Sequence, residues 1–370
     1  MTEKALQLRS IVKSSGELVV SLEEVDIPKP GPNEVLVRIE AAPINPSDLG
    51  VVFAAGDLET AKITGTKDRP ILTANIPERM RKAFAGRVDQ SLPVGNEGAG
   101  TVVAGPEHLK GKQVAFVGGS AYGTHRTVSI DDTILLEDGT TPAEGASAFI
   151  NPLTALGMIE TLKREGHTAL VHTAAASALG QMLVRLCAAD GIPLVNVVRK
   201  EEQVAILRRL DAKHVVNTSE PSFGTDLAAA VEATGATLAF DAVGGGTLPS
   251  QILVAMEAAL QKKLTAYSRY GAPTHKQVYI YGALDFAPTE IARSVGMAWG
   301  IGGWLVFWYL GKLGPEVMVS LKQRVAKELK TTFATQYAKE ISLADMLAPD
   351  VLRAYAKKAT GGKFLVKPNG

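Results

Sequence analysis

The sequence predicts an α/β protein with two domains, an N-terminal β domain and a doubly wound parallel sheet. A chain of 370 residues, 46% of them hydrophobic, is long enough to form two cores. The first 150 residues contain short apolar runs between Pro- and Gly-rich turns, whereas strand-like and helix-like runs alternate from residue 168 onward. Such alternation is typical of a parallel sheet, because parallel strands are joined by crossover helices.

The β domain is predicted from four apolar runs. They read LVVSLEEV (18–25), EVLVRIEAA (34–42), AGTVVAG (99–105) and KQVAFVG (112–118). Residues 49–94 are interpreted as a long charged loop, in which IPERMRKAFAGRVDQ (76–90) predicts a surface helix. This helix either gates a substrate cleft or is a solvated insertion without a role.

The second domain is predicted from alternating strands and helices. The helix after its first strand has an apolar stripe at Leu179, Met182, Leu183, Leu186 and Cys187. Further strands are predicted at 193–198, 214–218, 237–245 and 277–284, and further helices at 201–210, 226–233 and 249–260. A charged helix (315–330) and a strand-like tail, GGKFLVKP (361–368), follow. The predicted domains are 1–150 and 151–312, with 313–370 returning to complete the first.

The stretch HTAAASALGQM (172–182) lies where a dinucleotide-binding turn would join a strand to its helix. The three glycine positions of such a turn hold Ala175, Ser177 and Gly180, which are small enough to let a phosphate approach the backbone. By itself the stretch fits an ordinary strand–helix loop equally well. Arg199 and Lys200 end the next strand, where a basic pair favours the 2′-phosphate of NADP over the ribose hydroxyl of NAD. Alternatively, Arg199 and Lys200 are solvent-exposed residues at the start of the next helix.

Composition and charge exclude several kinds of partner. Lys and Arg number 39 and Asp and Glu number 38, so a net charge of +1 gives no electrostatic basis for binding nucleic acid or an anionic membrane. The single cysteine, Cys187, excludes an internal disulfide and fits a reducing compartment. The N-terminus lacks the apolar core of a secretory signal, so we expect a cytoplasmic protein.

One uncharged run, SVGMAWGIGGWLVFWYLG (294–311), holds all three tryptophans. Its 18 residues are borderline for a membrane-spanning helix, and five glycines interrupt them. The run is therefore interpreted as a buried strand flanked by turns, at the edge of the second sheet.

Six motifs resemble those of a known family. They are AAPINPSDL (41–49), PVGNEGAGTV (93–102), GTHRTV (123–128), NPLTA (151–155), NVVRKEE (196–202) and DAKHVV (211–216). In order and spacing they are similar to the zinc-independent branch of the medium-chain dehydrogenases/reductases, which includes NADPH quinone oxidoreductases and mitochondrial-type 2-enoyl thioester reductases. The resemblance implies a GroES-like N-terminal domain, a Rossmann-type second domain and a homodimer.

The resemblance also implies site residues. Asn45 and Thr154 would contact the nicotinamide side of the cleft. The residues implied to bind NADPH are Asn151, Ala176, Ser177, Ala178, Leu179, Gly180, Arg199, Lys200, Tyr281, Gly282, Ala283, Leu284, Gly303, Trp304, Leu305 and Lys363. Structural readings stay open beside these: Asn45 as a turn cap, Trp304 as core and Lys363 as a surface lysine.

The chain departs from its relatives at two places. Asn45 and Asn96 stand where the zinc-bearing members place a cysteine and a histidine, and neutral amides are poor zinc ligands, so we predict no zinc. The enoyl thioester reductases are expected to present a tyrosine between these two motifs, but no tyrosine precedes Tyr122 in this chain. This departure counts against activity on an enoyl thioester.

These features predict a zinc-independent NADPH reductase acting on a small quinone or an activated alkene (an α,β-unsaturated carbonyl compound). Both acceptors take a hydride directly, and water can supply the proton. Asn45 and Thr154 would orient the acceptor and stabilise negative charge on its oxygen. One alternative is a 2-enoyl thioester reductase, for which Arg79, Arg81 and Lys82 would form a basic entrance. The other is a non-enzymatic NADPH-binding protein.

Overall fold

The computed structural model describes residues 3–356 and 363–370. The chain divides into two compact units, one containing residues 1–150 and 322–370 and the other containing residues 151–321. Residues 313–321, which the sequence analysis places in the return segment, lie in the second unit.

The first unit is rich in strands. Its elements before residue 150 are β1 (Lys4–Val12), β2 (Glu17–Asp26), β3 (Glu34–Pro43), α1 (Pro46–Val52), β4 (Asp57–Gly65), β5 (Pro70–Asn75), α2 (Glu78–Arg81), β6 (Leu92–Pro93), β7 (Glu97–Ala104), β8 (Gln113–Val117), β9 (His125–Ser129), β10 (Thr133–Leu135) and α3 (Pro142–Gly145). Each of the four predicted apolar runs is a strand. β3 pairs antiparallel with both β7 and β9, and its Val35, Val37 and Ile39 are fully buried.

The segment 49–94 is largely regular structure rather than the loop expected from the sequence. β4 and β5 form an antiparallel hairpin, and β5 pairs antiparallel with β2, so that β4 is the edge strand of this sheet. β4 is mostly exposed, so its residues lack the apolar alternation that marks a half-buried strand. The helix predicted over 76–90 is the short α2, followed by a 3₁₀ helix at Lys82–Arg87.

The second unit alternates strands and helices. Its elements, with the return segment, are α4 (Ile150–Arg164), β11 (Leu170–Thr173), α5 (Ala178–Asp190), β12 (Leu194–Val198), α6 (Glu201–Arg208), β13 (His214–Asn217), α7 (Phe223–Thr234), β14 (Leu238–Asp241), β15 (Gly244–Gly246), α8 (Leu248–Gln261), β16 (Lys276–Ile280), β17 (Asp285–Thr289), β18 (Trp299–Gly303), α9 (Val306–Leu310), α10 (Pro315–Glu328), β19 (Tyr337–Ile341), α11 (Pro349–Ala356) and β20 (Lys363–Val366).

Six strands of this unit form a parallel sheet in the order β13-β12-β11-β14-β16-β18. β11, β12 and β14 are buried along their whole length, as expected for strands covered on both faces. The strand order reverses between β11 and β14, and sheets of this kind bind ligands at the carboxyl ends of their strands at that point. The structure confirms the predicted α/β class.

Helix α5 buries the apolar stripe predicted from its sequence. Leu183 and Leu186 are fully buried, and Cys187 is 2% exposed. Burial raises the pKa of the Cys187 thiol well above its usual value, so the side chain behaves as a small hydrophobic group. The helix ends at Gly191, whose left-handed backbone (φ +69°) suits glycine.

The tryptophan-rich run 294–311 forms β18 at the edge of the parallel sheet and then the short helix α9. β18 is partly exposed rather than buried as predicted, because an edge strand has a neighbour on one side only. Across residues 3–356 and 363–370, no helix combines the length and the apolar character that crossing a membrane requires.

The return segment brings the chain back to the first unit. The charged helix predicted at 315–330 is α10, and the predicted tail forms β20, which pairs parallel with β19 and antiparallel with β3. Gly361 and Gly362, the first residues of that tail, lie outside the described residues.

Candidate functional site

The turn between β11 and α5 has the geometry of an anion site. Ser177 caps the helix, because its Oγ accepts a hydrogen bond from the Gly180 N–H at 3.1 Å. Among the described residues, the N–H groups of Ala178 and Leu179 in the first turn have no partner. These donors and the positive end of the helix dipole suit a phosphate group.

Gly180 is required by the packing of this turn. A Cβ atom at position 180 would collide with the backbone of Ala175, including its carbonyl oxygen. Ala175 in turn donates its N–H to the carbonyl oxygen of Val197 on β12 at 3.2 Å, which fixes the turn to the neighbouring strand. The close approach of helix to turn is the role of the last glycine in a dinucleotide fingerprint. This packing is compatible with a nucleotide turn, and nucleotide binding there stays a prediction.

Arg199 and Lys200 follow β12 at the same edge of the sheet. The register of β11 and β12 places Thr173 opposite Val197, so Arg199 comes two residues beyond the level at which β11 ends. Both basic side chains are exposed. The main chain at Arg199 is held by two bonds, from its N–H to Gln203 Oε1 at 3.0 Å and from Ser219 Oγ to its carbonyl oxygen at 2.6 Å.

A hydrogen-bond network not identified from the sequence joins the ends of β11 and β14. Thr173 Oγ1 donates to Asp241 Oδ1 at 2.6 Å and accepts from the Ala242 N–H at 2.8 Å. The Asp241 carboxylate also accepts from the N–H groups of Val243 and Gly244. The network fixes the loop after β14 at the point where the strand order reverses. The only signal in the sequence is an aspartate that ends a buried apolar strand.

The segment after β16 contains four of the implied cofactor residues. Tyr281 contacts His172 on β11, with 2.7 Å between its hydroxyl and His172 Nε2, and the two rings stack at 5.8 Å. Gly282 passes close to the loop after β14, since a Cβ there would lie 2.7 Å from the carbonyl oxygen of Ala242. Ala283 and Leu284 are exposed.

The other implied residues of the second unit differ in exposure. Trp304 is buried in the core, where its indole N–H donates to Thr161 Oγ1 at 3.1 Å and its ring meets Phe240 edge-on. Gly303 and Leu305 on either side are exposed. On helix α4, Asn151 is partly buried and Thr154 is buried. The Trp304 side chain therefore has the structural role that the sequence analysis gave as the alternative.

In the first unit, Asn45 is almost fully buried before helix α1. Its Nδ2 donates to Glu97 Oε1 at 2.8 Å, and Glu97 Oε2 accepts from the N–H groups of Phe149 and Ile150. Asn45 Oδ1 has no hydrogen-bond partner among the described residues. A buried amide oxygen left unpaired is unusual.

Asp48 organises the loops around Asn45. Its Oδ2 accepts from the Asn45 N–H at 2.8 Å and its Oδ1 accepts from the Asn96 N–H at 2.9 Å. The Tyr122 hydroxyl lies 2.8 Å from Asp48 Oδ2 and 3.0 Å from the carbonyl oxygen of Pro43, so one hydroxyl proton serves two acceptors. Burial raises the pKa of Asp48 to about 6.

Lys363 on β20 is a partly buried lysine, not a surface one. β20 pairs with β3 through Leu365 opposite Pro43, and the Ile44 N–H donates to the carbonyl oxygen of Phe364 at 3.0 Å, so Lys363 at the start of β20 lies near the end of β3. Its Nζ donates to Ser147 Oγ at 3.2 Å, and Ser147 Oγ shares a hydrogen bond of 2.9 Å with the Tyr337 hydroxyl. Burial lowers the pKa of Lys363, and the charges of Glu97 and Asp48 oppose that shift.

Comparisons with known proteins agree with this architecture. The family model for zinc-binding dehydrogenases matches residues 178–259. The mitochondrial enoyl-[acyl-carrier-protein] reductase of Xenopus tropicalis is 31% identical over 217 residues, which cover 55% of this chain and 53% of that protein. The chain thus spans about half the length of the curated relatives that it matches.

Two solved structures share the fold over nearly the whole chain. A Mesorhizobium loti protein provisionally described as an NADPH:quinone reductase has a TM-score of 0.74 at 24% identity, and each chain is covered completely. A complex of Etr1p with NADP and crotonyl-CoA has a TM-score of 0.68 at 22% identity, covering 99% of this chain and 100% of that one. At these identities the two structures show that the chain shares their fold.

The two asparagines that the sequence analysis compares with zinc ligands have other partners in the chain. Asn45 Nδ2 is bonded to Glu97, and Asn96 Nδ2 donates to Ser47 Oγ at 3.2 Å. Across the described residues, no group of three or more His, Cys, Asp and Glu side chains is arranged to hold a metal ion. The matched family model covers only α5 to α8, so its zinc-binding description does not bear on these positions.

The first tyrosine of the chain is fully buried. Tyr122 is 0% exposed and lies against Asp48 and Pro43, inside the core of the first unit. It therefore does not take the place of the tyrosine that enoyl thioester reductases are expected to present to their substrate.

Proposed function

We propose that the protein is an NADPH-dependent oxidoreductase that transfers a hydride to a quinone or to an activated alkene. The observation that carries this proposal is the turn at Ala174–Gly180, with its capped helix, two N–H groups without partners and a glycine that cannot be replaced without a backbone collision. Two exposed basic residues at the end of the neighbouring strand complete the dinucleotide-binding edge.

The cofactor roles follow from position. Ala178 and Leu179 would donate their N–H groups to the pyrophosphate, and Arg199 with Lys200 would pair with the 2′-phosphate. The nicotinamide half would lie against Tyr281, Gly282, Ala283 and Leu284 and against the main chain at Gly303, Trp304 and Leu305, with Asn151 and Lys363 as further contacts. When bound, NADPH supplies the hydride.

Asn45 and Thr154 are proposed to orient the acceptor. Asn45 keeps one amide hydrogen and its Oδ1 beyond the bond to Glu97, and its fixed position makes it a preorganised partner for an acceptor oxygen. The partly buried ammonium of Lys363, at the start of β20, adds positive charge near the Glu97 and Asp48 carboxylates of the first unit. The proton that completes reduction is assigned to water, because Tyr122 is buried.

A 2-enoyl thioester reductase is the second candidate. The curated relatives that the chain matches are mostly mitochondrial enoyl-[acyl-carrier-protein] reductases, and this supports an acyl thioester as the activated alkene. Arg79, Arg81 and Lys82, the basic residues of the proposed thioester entrance, are exposed. A protein that binds NADPH without catalysis is the third candidate.

The deciding experiment is NADPH oxidation, followed by absorbance with an ortho-quinone in one cuvette and a crotonyl thioester in the other. Turnover of the quinone alone supports the first candidate, and turnover of the thioester supports the second. Tight NADPH binding with no oxidation by either acceptor would leave the non-enzymatic protein as the correct assignment.

Arg199→Ala is expected to weaken NADPH binding by about 10- to 100-fold, because a charge-assisted bond to the 2′-phosphate contributes roughly 1.5–3 kcal/mol. NADH lacks this phosphate, so its dissociation constant should change little. Titration calorimetry with both nucleotides measures the difference, and Arg209→Ala, at the far end of α6, is the control. Equal effects on NADH and NADPH would contradict the 2′-phosphate assignment.

We also propose that two chains associate through the edge of the parallel sheet. Among the described residues, β18 pairs with β16 only, and Trp308 in the following helix is 76% exposed. Light scattering should give twice the mass of one chain, and Trp308→Glu should shift the protein toward monomer, whereas Tyr267→Glu at another exposed aromatic should not. A monomeric wild-type protein would contradict this proposal.

A further inference from the structure

A buried histidine–tyrosine pair bridges two strands at the carboxyl edge of the parallel sheet. His172 lies on β11 and Tyr281 follows β16, with β14 between these strands. The Tyr281 hydroxyl is 2.7 Å from His172 Nε2, and the rings stack with an angle of 17° between their planes. The pair therefore spans the point at which the strand order reverses. His172 lies two residues before Ala174, the first residue of the proposed nucleotide turn.

The pair holds two polar protons but makes only one hydrogen bond. Burial lowers the pKa of His172 to about 3, so its imidazole is neutral and carries one N–H. Burial and the charge of Asp241 raise the pKa of Tyr281, so its phenol stays protonated. His172 Nδ1 has no partner among the described residues.

Two proton arrangements are available to the pair. If Nδ1 carries the imidazole proton, Tyr281 donates to Nε2, and the His172 Nδ1–H is a buried donor without an acceptor. If Nε2 carries it, the imidazole donates to the Tyr281 oxygen, and the phenol proton points away from His172. Unpaired buried N–H groups are rarer than under-used acceptors. Tyr281 is a partly exposed residue whereas His172 is fully buried, so the second arrangement leaves the free proton on the residue nearer the surface.

We infer that His172 is a positioning residue that donates from Nε2 to Tyr281 and so directs the Tyr281 hydroxyl toward the nicotinamide half of NADPH. This inference rests on the proposed function. A dinucleotide in such a fold lies across the carboxyl ends of the strands, with its pyrophosphate at the first turn. The adenosine half lies on the side of Arg199, and the other half lies over β14 and β16, where the hydroxyl meets a carboxamide or ribose oxygen.

The test compares two ligands in one variant. Tyr281→Phe should raise the dissociation constant of NADPH by roughly five- to tenfold, the effect of one lost hydrogen bond. The constant for adenosine 2′,5′-bisphosphate, which has the 2′-phosphate but no nicotinamide, should not change. Tyr279→Phe is the matched control, because Tyr279 lies on β16 two residues before Tyr281 and its hydroxyl donates to Glu165 Oε1 at 2.7 Å. It should leave both constants unchanged.

Unchanged NADPH binding by Tyr281→Phe, or equal weakening of both ligands, would overturn the inference. A second readout is the nitrogen-15 spectrum of His172, assigned by the signal lost in His172→Gln. Protonation at Nε2 is expected, and protonation at Nδ1 overturns the positioning role. If wild-type protein binds neither ligand, the proposed function itself fails, a result separate from the behaviour of the variant.

Discussion

Gly180→Ala is expected to destabilise the second unit by more than about 3 kcal/mol and to abolish NADPH binding. The added Cβ would collide with backbone atoms of Ala175, which cannot move without breaking the bond between the turn and β12. Relief would require the first turn of α5 to shift, and that shift would displace the N–H groups of Ala178 and Leu179. Urea unfolding and titration calorimetry measure the two effects.

Gly224→Ala provides the matched control. Gly224 also lies in the first turn of a helix of the second unit, but nothing would lie within 4 Å of its added Cβ. This substitution should be neutral or stabilise the protein by up to about 1 kcal/mol. If Gly180→Ala were tolerated as well as Gly224→Ala, the close packing assigned to the turn would be wrong.

Asp48→Asn is expected to remove a pH dependence from the stability of the first unit. Burial raises the pKa of Asp48 from 3.8 to about 6, so the folded protein binds a proton more tightly than the unfolded chain does. Between these two values the folded state holds more protons, and its free energy of unfolding falls as the pH rises. A shift of about two units corresponds to about 3 kcal/mol.

Unfolding by urea from about pH 4.5 to about pH 7.5 measures this effect. Over this range the wild-type protein should lose about 2 kcal/mol of stability relative to the asparagine variant, because the variant has no proton to release. Asp68→Asn, at an exposed aspartate of the same unit, should follow the wild type. Parallel curves for wild type and Asp48→Asn would show that Asp48 does not hold its proton in the folded protein.

The sequence pattern is sufficient for the parts of the fold that depend on local order. The apolar runs of β2, β3, β7 and β8 have the alternation that a strand packed on one face requires, and the stripe on α5 has the helical period. The turn before α5 was placed correctly because strand, small residues and helix follow one another within eleven positions. The packing of Gly180 against Ala175 could not be predicted in this way, because Ala175 is fixed by a bond to the neighbouring strand.

The sequence pattern is insufficient where partners are distant in the chain. Asp48 and Tyr122 are 74 positions apart, and Thr173 and Asp241 are 68 apart, so no periodicity indicates either pair. The hairpin of β4 and β5 was missed because an exposed strand carries polar residues on both faces. Trp304 was assigned to the cofactor by resemblance, but an indole beside a sheet packs equally well into a core.

The buried Cys187 makes helix α5 observable without any enzyme assay. A thiol-reactive dye reaches this side chain only when the helix opens, so the rate of labelling reports the free energy of that opening. The same helix carries the N–H groups proposed to bind the pyrophosphate. A nucleotide bound at the turn would therefore lower the rate at which the dye labels Cys187, and it would lower that rate more the more tightly it binds. Because Cys187 is the one cysteine of the chain, the labelling rates measured with NADPH and with NADH would show which dinucleotide binds more tightly.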